Sequence, residues 1–207
     1  MYIAIAGNIG SGKTTLTGKL AEHFGWEPRY ESADDNPYLE DFYEDMSKWA
    51  FPLQIYFLNS RYRQVMEVSR TEQPIIQDRS LYEDAHIFSR QLNADGHLTD
   101  RDAECFKSVF DSVTETAPAP DLLIYLRTSV PQLLDHIRKR GREYEQSISR
   151  AYLTGLNEYY EEWISNYDSG KLLIIDMEDK DFVENSADLQ QIIGSIDAEL
   201  HAQKARV

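Results

Sequence analysis

The chain has 207 residues, 42% hydrophobic and 12% aromatic, and a formal net charge of −15. That length fits one domain with a substantial core and no need for disulfide or metal staples. The charge argues against a nucleic-acid backbone or an anionic membrane surface as partner, and the single cysteine, Cys105, excludes a disulfide framework and a multi-cysteine metal site.

Tyr2–Ala6 is a continuous apolar run and predicts a buried strand. Leu16, Leu20 and Phe24 fall at i, i+4 and i+8, so a helix is predicted over Thr14–Phe24, with Gly25 as its stop. Trp26–Tyr30 is a weaker strand, closed by Glu31. From Glu31 to Asp45 there are seven acidic residues and no Lys or Arg, a bias that reads mostly as a solvated face. Residues 49–70 carry Phe51, Ile55, Leu58, Tyr62, Val65 and Met66 at helical spacing. Pro74–Gln77, with Ile75 and Ile76, predicts another strand, closed by Asp78. Helices follow over 79–92 and 99–116, then a strand at Leu122–Leu126. Ser129 and Gln132 fit a capping box, and Pro131 suits the first turn of a helix over 131–140. A helix over 149–167, a strand at Leu172–Ile175 and a helix over 183–203 complete the chain. Strands alternating with helices predict an α/β fold, a five-stranded, mainly parallel sheet with helices on both faces. No linker-like run or repeat divides the chain, which reads as one domain. No apolar run approaches the ~18 residues of a membrane span. The chain opens on a strand with no basic leader, so the expected compartment is the cytoplasm.

Gly7-Asn8-Ile9-Gly10-Ser11-Gly12-Lys13-Thr14 matches the phosphate-loop pattern G-x-x-x-x-G-K-[ST]. It lies after a strand and before a helix, where the chemistry requires it. Its glycines let backbone N–H groups curl around an anion, and the helix adds its positive end. Lys13 is expected to reach the β- and γ-phosphates of a nucleotide and Thr14 to offer its hydroxyl to Mg²⁺; Thr15 follows. The loop does not name the acceptor: GTPases, ATPases and several kinases use one.

Other residues narrow the choice. Glu31 and Asp78 close strands, and in a parallel sheet ligands bind at that edge. One carboxylate could take a hydroxyl proton and the other serve the metal, although a strand-end acid such as Asp78 also caps helices. Asp78-Arg79-Ser80 is followed by Tyr82 and by Asp84, six residues after Asp78. Arg138, Lys139, Arg140 and Arg142, preceded by His136 and interrupted by Gly141, form the one dense basic cluster. It reads either as a cationic helix end or, given the upstream phosphate loop, as a lid over about 136–148 that closes on the transferring phosphoryl group.

Together these segments resemble the deoxynucleoside kinase family over about residues 1–170. The resemblance rests on Gly7–Thr15, Glu31 with Asn36-Pro37-Tyr38-Leu39, Phe42-Tyr43, Trp49–Arg61 with Gln54 inside it, Asp78-Arg79-Ser80, and Arg140-Gly141-Arg142-Glu143-Tyr144-Glu145. It implies a phosphate-loop kinase fold with a lid, and ATP with Mg²⁺ as donor. By position it implies Glu31 as general base on the 5′-hydroxyl and Arg79 on the 5′-oxygen and phosphates. Thr14 and Asp78 would serve the metal, Tyr43 and Glu145 the sugar 3′-hydroxyl, Gln54 the base edge, and Arg140 and Arg142 the lid. His136 stands where the family usually has another Arg, and Ser32 where it commonly has Pro. Arg61 and Asp84 match a pair found in members that prefer purines or cytosine, and the stretch looks most like bacterial deoxyadenosine/deoxyguanosine kinases. Phe88, Phe51 and Tyr82 are candidate stacking or wall residues, although aromatics at such spacing are more often plain core. The expected reaction is transfer of the ATP γ-phosphate to a purine deoxynucleoside, with a deoxycytidine-preferring or broad-specificity enzyme as the alternative. Thymidylate kinase is a nearer rival in fold, but a phosphorylated acceptor needs cations near Glu31, and Glu31–Asp45 has none. A nucleotide-binding switch without phosphotransfer would need neither base nor lid. The family also implies a homodimer through the helices at 35–70 and 99–116.

Overall fold

In a computed structural model of the chain, which describes residues 1–31, 36–68 and 70–204, strands β1 (Tyr2–Ala6), β2 (Glu27–Arg29), β3 (Ile75–Asp78), β4 (Leu122–Arg127) and β5 (Lys171–Asp176) form one sheet. The order is β2-β3-β1-β4-β5 and every pairing is parallel. All five predicted strands are present. β1 is buried throughout and β3 likewise, as their unbroken apolar runs require.

Each face of the sheet has its own core. Alternate residues of one strand point to opposite sides, so Tyr2, Ala4 and Ala6 join one cluster and Ile3 and Ile5 the other. The first cluster packs against α3 (Met46–Val68), α5 (Asp100–Thr114) and α7 (Arg150–Ser165), through Leu58, Val65, Phe106, Leu156 and Tyr160. The second packs against α1 (Lys13–Phe24) and α8 (Ser186–Lys204), through Leu16, Leu20, Ile192 and Ile196. A smaller cluster joins the short α2 (Leu39–Glu44) to α3 through Phe42, Leu53 and Phe57.

Three local expectations change. The helix read over 79–92 is two pieces: a π-helical turn at Asp84–Phe88, then α4 (Ser89–Ala94). The Ser89 amide bonds to Asp84 five residues back, which widens the turn. The helix predicted from residue 49 begins at Met46, after the separate α2. In α6 (Val130–Arg140), Ser129 holds the N-cap position and Pro131 sits in the first turn, but the capping box does not form. The Gln132 amide instead donates to the Met177 carbonyl at 2.9 Å. Ser32, with the 32–35 part of the acid-rich stretch, lies outside the described residues.

Candidate active site

β1 ends at the phosphate loop, β3 ends at Asp78, and β2 leads directly to Glu31. These strands are neighbours, so their C-terminal ends lie side by side, at the edge where parallel sheets bind ligands.

The loop is fixed from several sides. Gly10 and Gly12 have φ of +85° and +89°. A Cβ on Gly10 would lie 2.8 Å from the Leu133 carbonyl oxygen, and one on Gly12 would lie 2.9 Å from Phe182, so neither position has room for a side chain. The Asn8 side chain points away from the loop's hollow. Its Nδ2 donates to the Leu153 carbonyl at 3.0 Å and to Asn157 Oδ1 at 2.6 Å, tying the loop to α7. His136 Nδ1 lies 2.7 Å from the Gly10 carbonyl oxygen. Lys13, at the start of α1, is buried, and its Nζ donates to the Asn8 carbonyl at 2.9 Å. Burial, with the Arg79 charge nearby, lowers the Lys13 ammonium to about 8 against the pull of Asp78, Glu83 and Glu31.

Thr14 Oγ1 donates to Asp78 Oδ2 at 2.5 Å. The other Asp78 oxygen is buried and has no hydrogen-bond partner. Burial raises the Asp78 pKa, with Lys13 the main opposing influence. Among the described residues no cluster of three His, Cys, Asp or Glu side chains could hold a metal by itself. A hydroxyl beside a half-satisfied carboxylate at a phosphate loop is a hard-oxygen donor set that fits Mg²⁺ held chiefly by the nucleotide.

Behind this edge lies a network of opposite charges. Arg61 of α3 binds both the Asp84 carboxylate and Glu31 Oε1. Arg79 Nε lies 3.2 Å from the same Glu31 oxygen, and its guanidinium stacks 4.5 Å over Phe88. Arg61, Arg79 and Asp84 are all at least 96% buried, whereas the Glu31 side chain keeps 23% exposure. Burial pushes Glu31 up, but Arg79, Arg61 and Lys13 outweigh it and hold the carboxyl down at about 2. Burial dominates at Asp84 and lifts it to about 6 against the Arg61 charge. Its second oxygen, and Gln54 Oε1, are buried without a partner.

These groups line a cavity of about 390 Å³. Of the predicted site residues, Ile9, Gly10, Lys13, Thr14, Glu31, Tyr43, Gln54, Arg61, Arg79, Asp84, Phe88, Arg140, Arg142 and Glu145 line it. Gly7, Asn8, Ser11, Gly12, Thr15 and Asp78 do not. Of the candidate wall residues only Phe88 qualifies. Phe51 packs into the core, and Tyr82 sets its ring edge against Phe110 at 6.2 Å. Leu39, Leu53, Phe57 and Tyr152 also line the cavity; Leu39, Leu53 and Phe57 lie within segments of the family resemblance, but none of the four had a site role in the sequence.

The basic cluster divides. Arg138 is exposed and lies 3.4 Å from Asp135 on α6. Arg140 donates to the buried Glu145 through Nε at 2.9 Å and through Nη2, and Arg142 Nη1 lies 3.6 Å from the same carboxylate. Gly141 ends α6 in the left-handed region, and a 3₁₀ turn at Glu143–Ser147 then carries Glu145 into the cavity.

Comparison with known proteins adds a decisive match: a family model described as deoxynucleoside kinase covers residues 3–201. The chain belongs to the deoxynucleoside kinase family. Among its relatives in that family, a deoxyadenosine/deoxycytidine kinase of Bacillus subtilis (strain 168) is 37% identical over 96% of this chain and 93% of that protein. A deoxyguanosine kinase of the same strain is 36% identical over 94% of this chain and 95% of its own length. Among solved structures, deoxyadenosine kinase from M. mycoides with products dCMP and a flexible dCDP superposes with a TM-score of 0.86 at 31% identity, over 96% of this chain and 100% of that one. The same enzyme with bound dATP gives 0.83 at 32% identity, over 95% and 99%.

One member of the charge network escaped the sequence reading. Glu83, wholly buried, accepts from the Ser80 amide at 2.7 Å and from the Tyr160 hydroxyl at 2.6 Å. Ser80-Leu81-Tyr82-Glu83 has the S-x-x-E spacing of a capping box, which was the available signal.

Proposed function

We propose that this kinase transfers the γ-phosphate of ATP to the 5′-hydroxyl of a purine deoxynucleoside, in nucleotide salvage. The carrying observation is the Arg61–Asp84 pair facing Gln54 in the cavity that also holds Glu31. A Gln amide matches the mixed donor and acceptor edge of adenine, and the open Asp84 oxygen is a further acceptor for a ring or amino N–H. Deoxycytidine is the next acceptor to consider, because one relative is named for it.

Lys13, Arg79, Arg140 and Arg142 supply positive charge around the phosphoryl path, which is the main catalytic need in a loose phosphoryl-transfer transition state. Glu31 accepts the 5′-hydroxyl proton. Held near 2, it is ionised at any working pH and takes the proton once transfer has made the hydroxyl acidic. Tyr43 and Glu145 hold the sugar 3′-hydroxyl, and Phe88 walls the base. The Thr14 hydroxyl and the Asp78 carboxylate would hold Mg²⁺, which when bound neutralises β- and γ-phosphate charge. The segment at about 136–148 serves as lid, with Gly141 at its hinge and His136 bonded to the loop in place of a further arginine. The whole chain acts as one domain, as a cytoplasmic homodimer. Cys105, free and exposed on α5, needs no oxidising compartment, and no helix among the described residues is long and apolar enough to cross a membrane. α3 packs beside α5, whose outer face leaves Val109 39% exposed, and these two helices are where a second copy would pack.

The test is kcat/KM over the four natural deoxynucleosides and their monophosphates, read by isotope transfer from labelled ATP. Deoxyadenosine and deoxyguanosine should lead. Product on monophosphates alone, or none, overturns the reading. The Lys13 environment adds a pH prediction. Because its proton is lost as pH rises through about 8 in the empty site, kcat/KM for ATP should fall about tenfold per pH unit above that value. Lys13→Arg, which keeps its charge, should abolish that limb; a limb unchanged in this variant belongs to another group. The same depression should favour the folded state as pH rises from about 8 toward the ordinary lysine value, since the unfolded chain keeps the proton longer.

A further inference from the structure

Glu83 and Tyr160 are wholly buried and lie outside the cavity lining, yet they connect its two most critical parts. Glu83 Oε1 accepts from the Gly7 amide at 3.3 Å, at the start of the phosphate loop, and from Arg79 Nη1 at 3.4 Å. Its Oε2 accepts from the Ser80 amide at 2.7 Å and the Ser80 hydroxyl at 3.2 Å. The Tyr160 hydroxyl accepts from Arg79 Nη1 at 2.9 Å. It has one hydrogen to give, to Glu83 at 2.6 Å or to the Gly7 carbonyl at 2.8 Å. Arg79 itself has φ of +71°, a left-handed conformation that side chains rarely adopt, with its amide bonded to the Ile5 carbonyl at 2.9 Å. A carboxylate and a phenol in this position do little for stability that apolar residues could not do. What they do is orient a guanidinium.

We propose that Glu83 and Tyr160 are positioning residues for phosphoryl transfer. They hold the Nη1 side of Arg79 so that Nε stays beside Glu31, and they tie Gly7 to the same carboxylate. Arg79 and the phosphate loop are thereby set at one fixed separation. The inference rests on the kinase reading above and on Arg79 serving the phosphates. Tyr160→Phe removes one oxygen from a buried ring, and Glu83→Gln puts an amide N–H₂ among groups that can all donate to the carboxylate: the Gly7 and Ser80 amides, Arg79 Nη1 and the Ser80 and Tyr160 hydroxyls.

The experiment measures kcat and KM of wild type, Tyr160→Phe and Glu83→Gln with ATP and deoxyadenosine, and of Tyr160→Phe in an Arg79→Ala background. Wild-type activity is established first, so its absence overturns the functional reading and leaves a distinct signature. Given that activity, each single variant should lose 10–100-fold in kcat, with the KM for deoxyadenosine changed less than threefold. In the Arg79→Ala background, Tyr160→Phe should cost less than twofold, because the group it positions is gone. The melting temperature of Tyr160→Phe separates this from a structural role. A Tyr160→Phe enzyme with wild-type kcat, one whose kcat loss survives unchanged in the Arg79→Ala background, or one whose loss reflects only an unfolded fraction overturns the proposal. Glu83→Gln gives a second, independent reading of the same kcat loss if Tyr160→Phe proves unstable.

Discussion

Glu31→Gln should fold as the wild type does and lose about 10²–10⁴-fold in kcat. The amide keeps the shape and one acceptor oxygen but cannot take the 5′-hydroxyl proton. The KM for deoxyadenosine should move only a few-fold, since the proposed base contacts, Gln54, Arg61 and Asp84, are kept. Folding should survive because neither guanidinium is stranded. Arg61 keeps Asp84, and Arg79 keeps Glu83 and Tyr160. Full kcat in this variant would remove Glu31 from the mechanism. The substitution also has a signature in stability. Glu31 sits at about 2, below the ordinary glutamate value of 4.5. Its contribution is therefore complete above that ordinary value and is lost as pH falls from there toward 2. Acid titration by circular dichroism should show a flatter stability curve for Glu31→Gln than for wild type across that window.

Arg61→Met is expected to act on stability and specificity together. Asp84 has 1% exposure and Arg61 is its direct counter-charge. Deleting one partner of a buried pair leaves an uncompensated charge, at a cost of about 3–5 kcal/mol. For a chain of this size that lowers the melting temperature by about 6–20 °C. The loss should shrink as pH is lowered, because protonation neutralises an Asp84 that burial already lifts to about 6 with Arg61 present. Arg61→Met/Asp84→Leu should recover most of the melting temperature, since no charge is then stranded. It should not recover purine recognition: kcat/KM for deoxyadenosine should stay roughly 10–100-fold down, the worth of a charge-assisted hydrogen bond or two. A double variant no more stable than Arg61→Met would show that the pair itself does not set the stability.

The fold was legible because its signals are local. Five apolar runs and the helical spacings between them are enough to place a parallel sheet. The phosphate loop declares itself by glycines that nothing larger could replace. Most cavity-lining side chains, among them Tyr43, Gln54 and Glu145, were reached through family resemblance rather than from spacing. What stayed hidden depends on non-local contacts. Glu83 and Tyr160 lie 77 residues apart and meet only after α7 crosses the sheet. The π-helical turn hides inside an ordinary-looking helical pattern, because one extra residue per turn leaves no mark in composition. Phe51 and Tyr82 follow the commoner rule for aromatic residues at helical spacing: both are taken up by packing rather than by the cavity wall. The Ser129–Gln132 pair had the spacing of a cap, but Ser129 accepts no cap hydrogen bond and the Gln132 amide is turned to donate to the Met177 carbonyl.

The cations deepest in this site are sequestered, whereas Arg140 and Arg142 keep 36% and 32% side-chain exposure. Lys13, Arg61 and Arg79 all lie at or below 6% exposure, inside a protein whose net charge is −15. Their field is short-ranged, and beyond roughly one Debye length, about 8 Å at physiological ionic strength, an approaching ligand meets the acidic exterior. The two substrates then experience different journeys. A neutral nucleoside arrives by diffusion at a rate indifferent to salt, whereas a nucleotide anion is first repelled and then captured. Added salt should therefore quicken nucleotide arrival, the reverse of the steering seen where basic surfaces draw phosphates in.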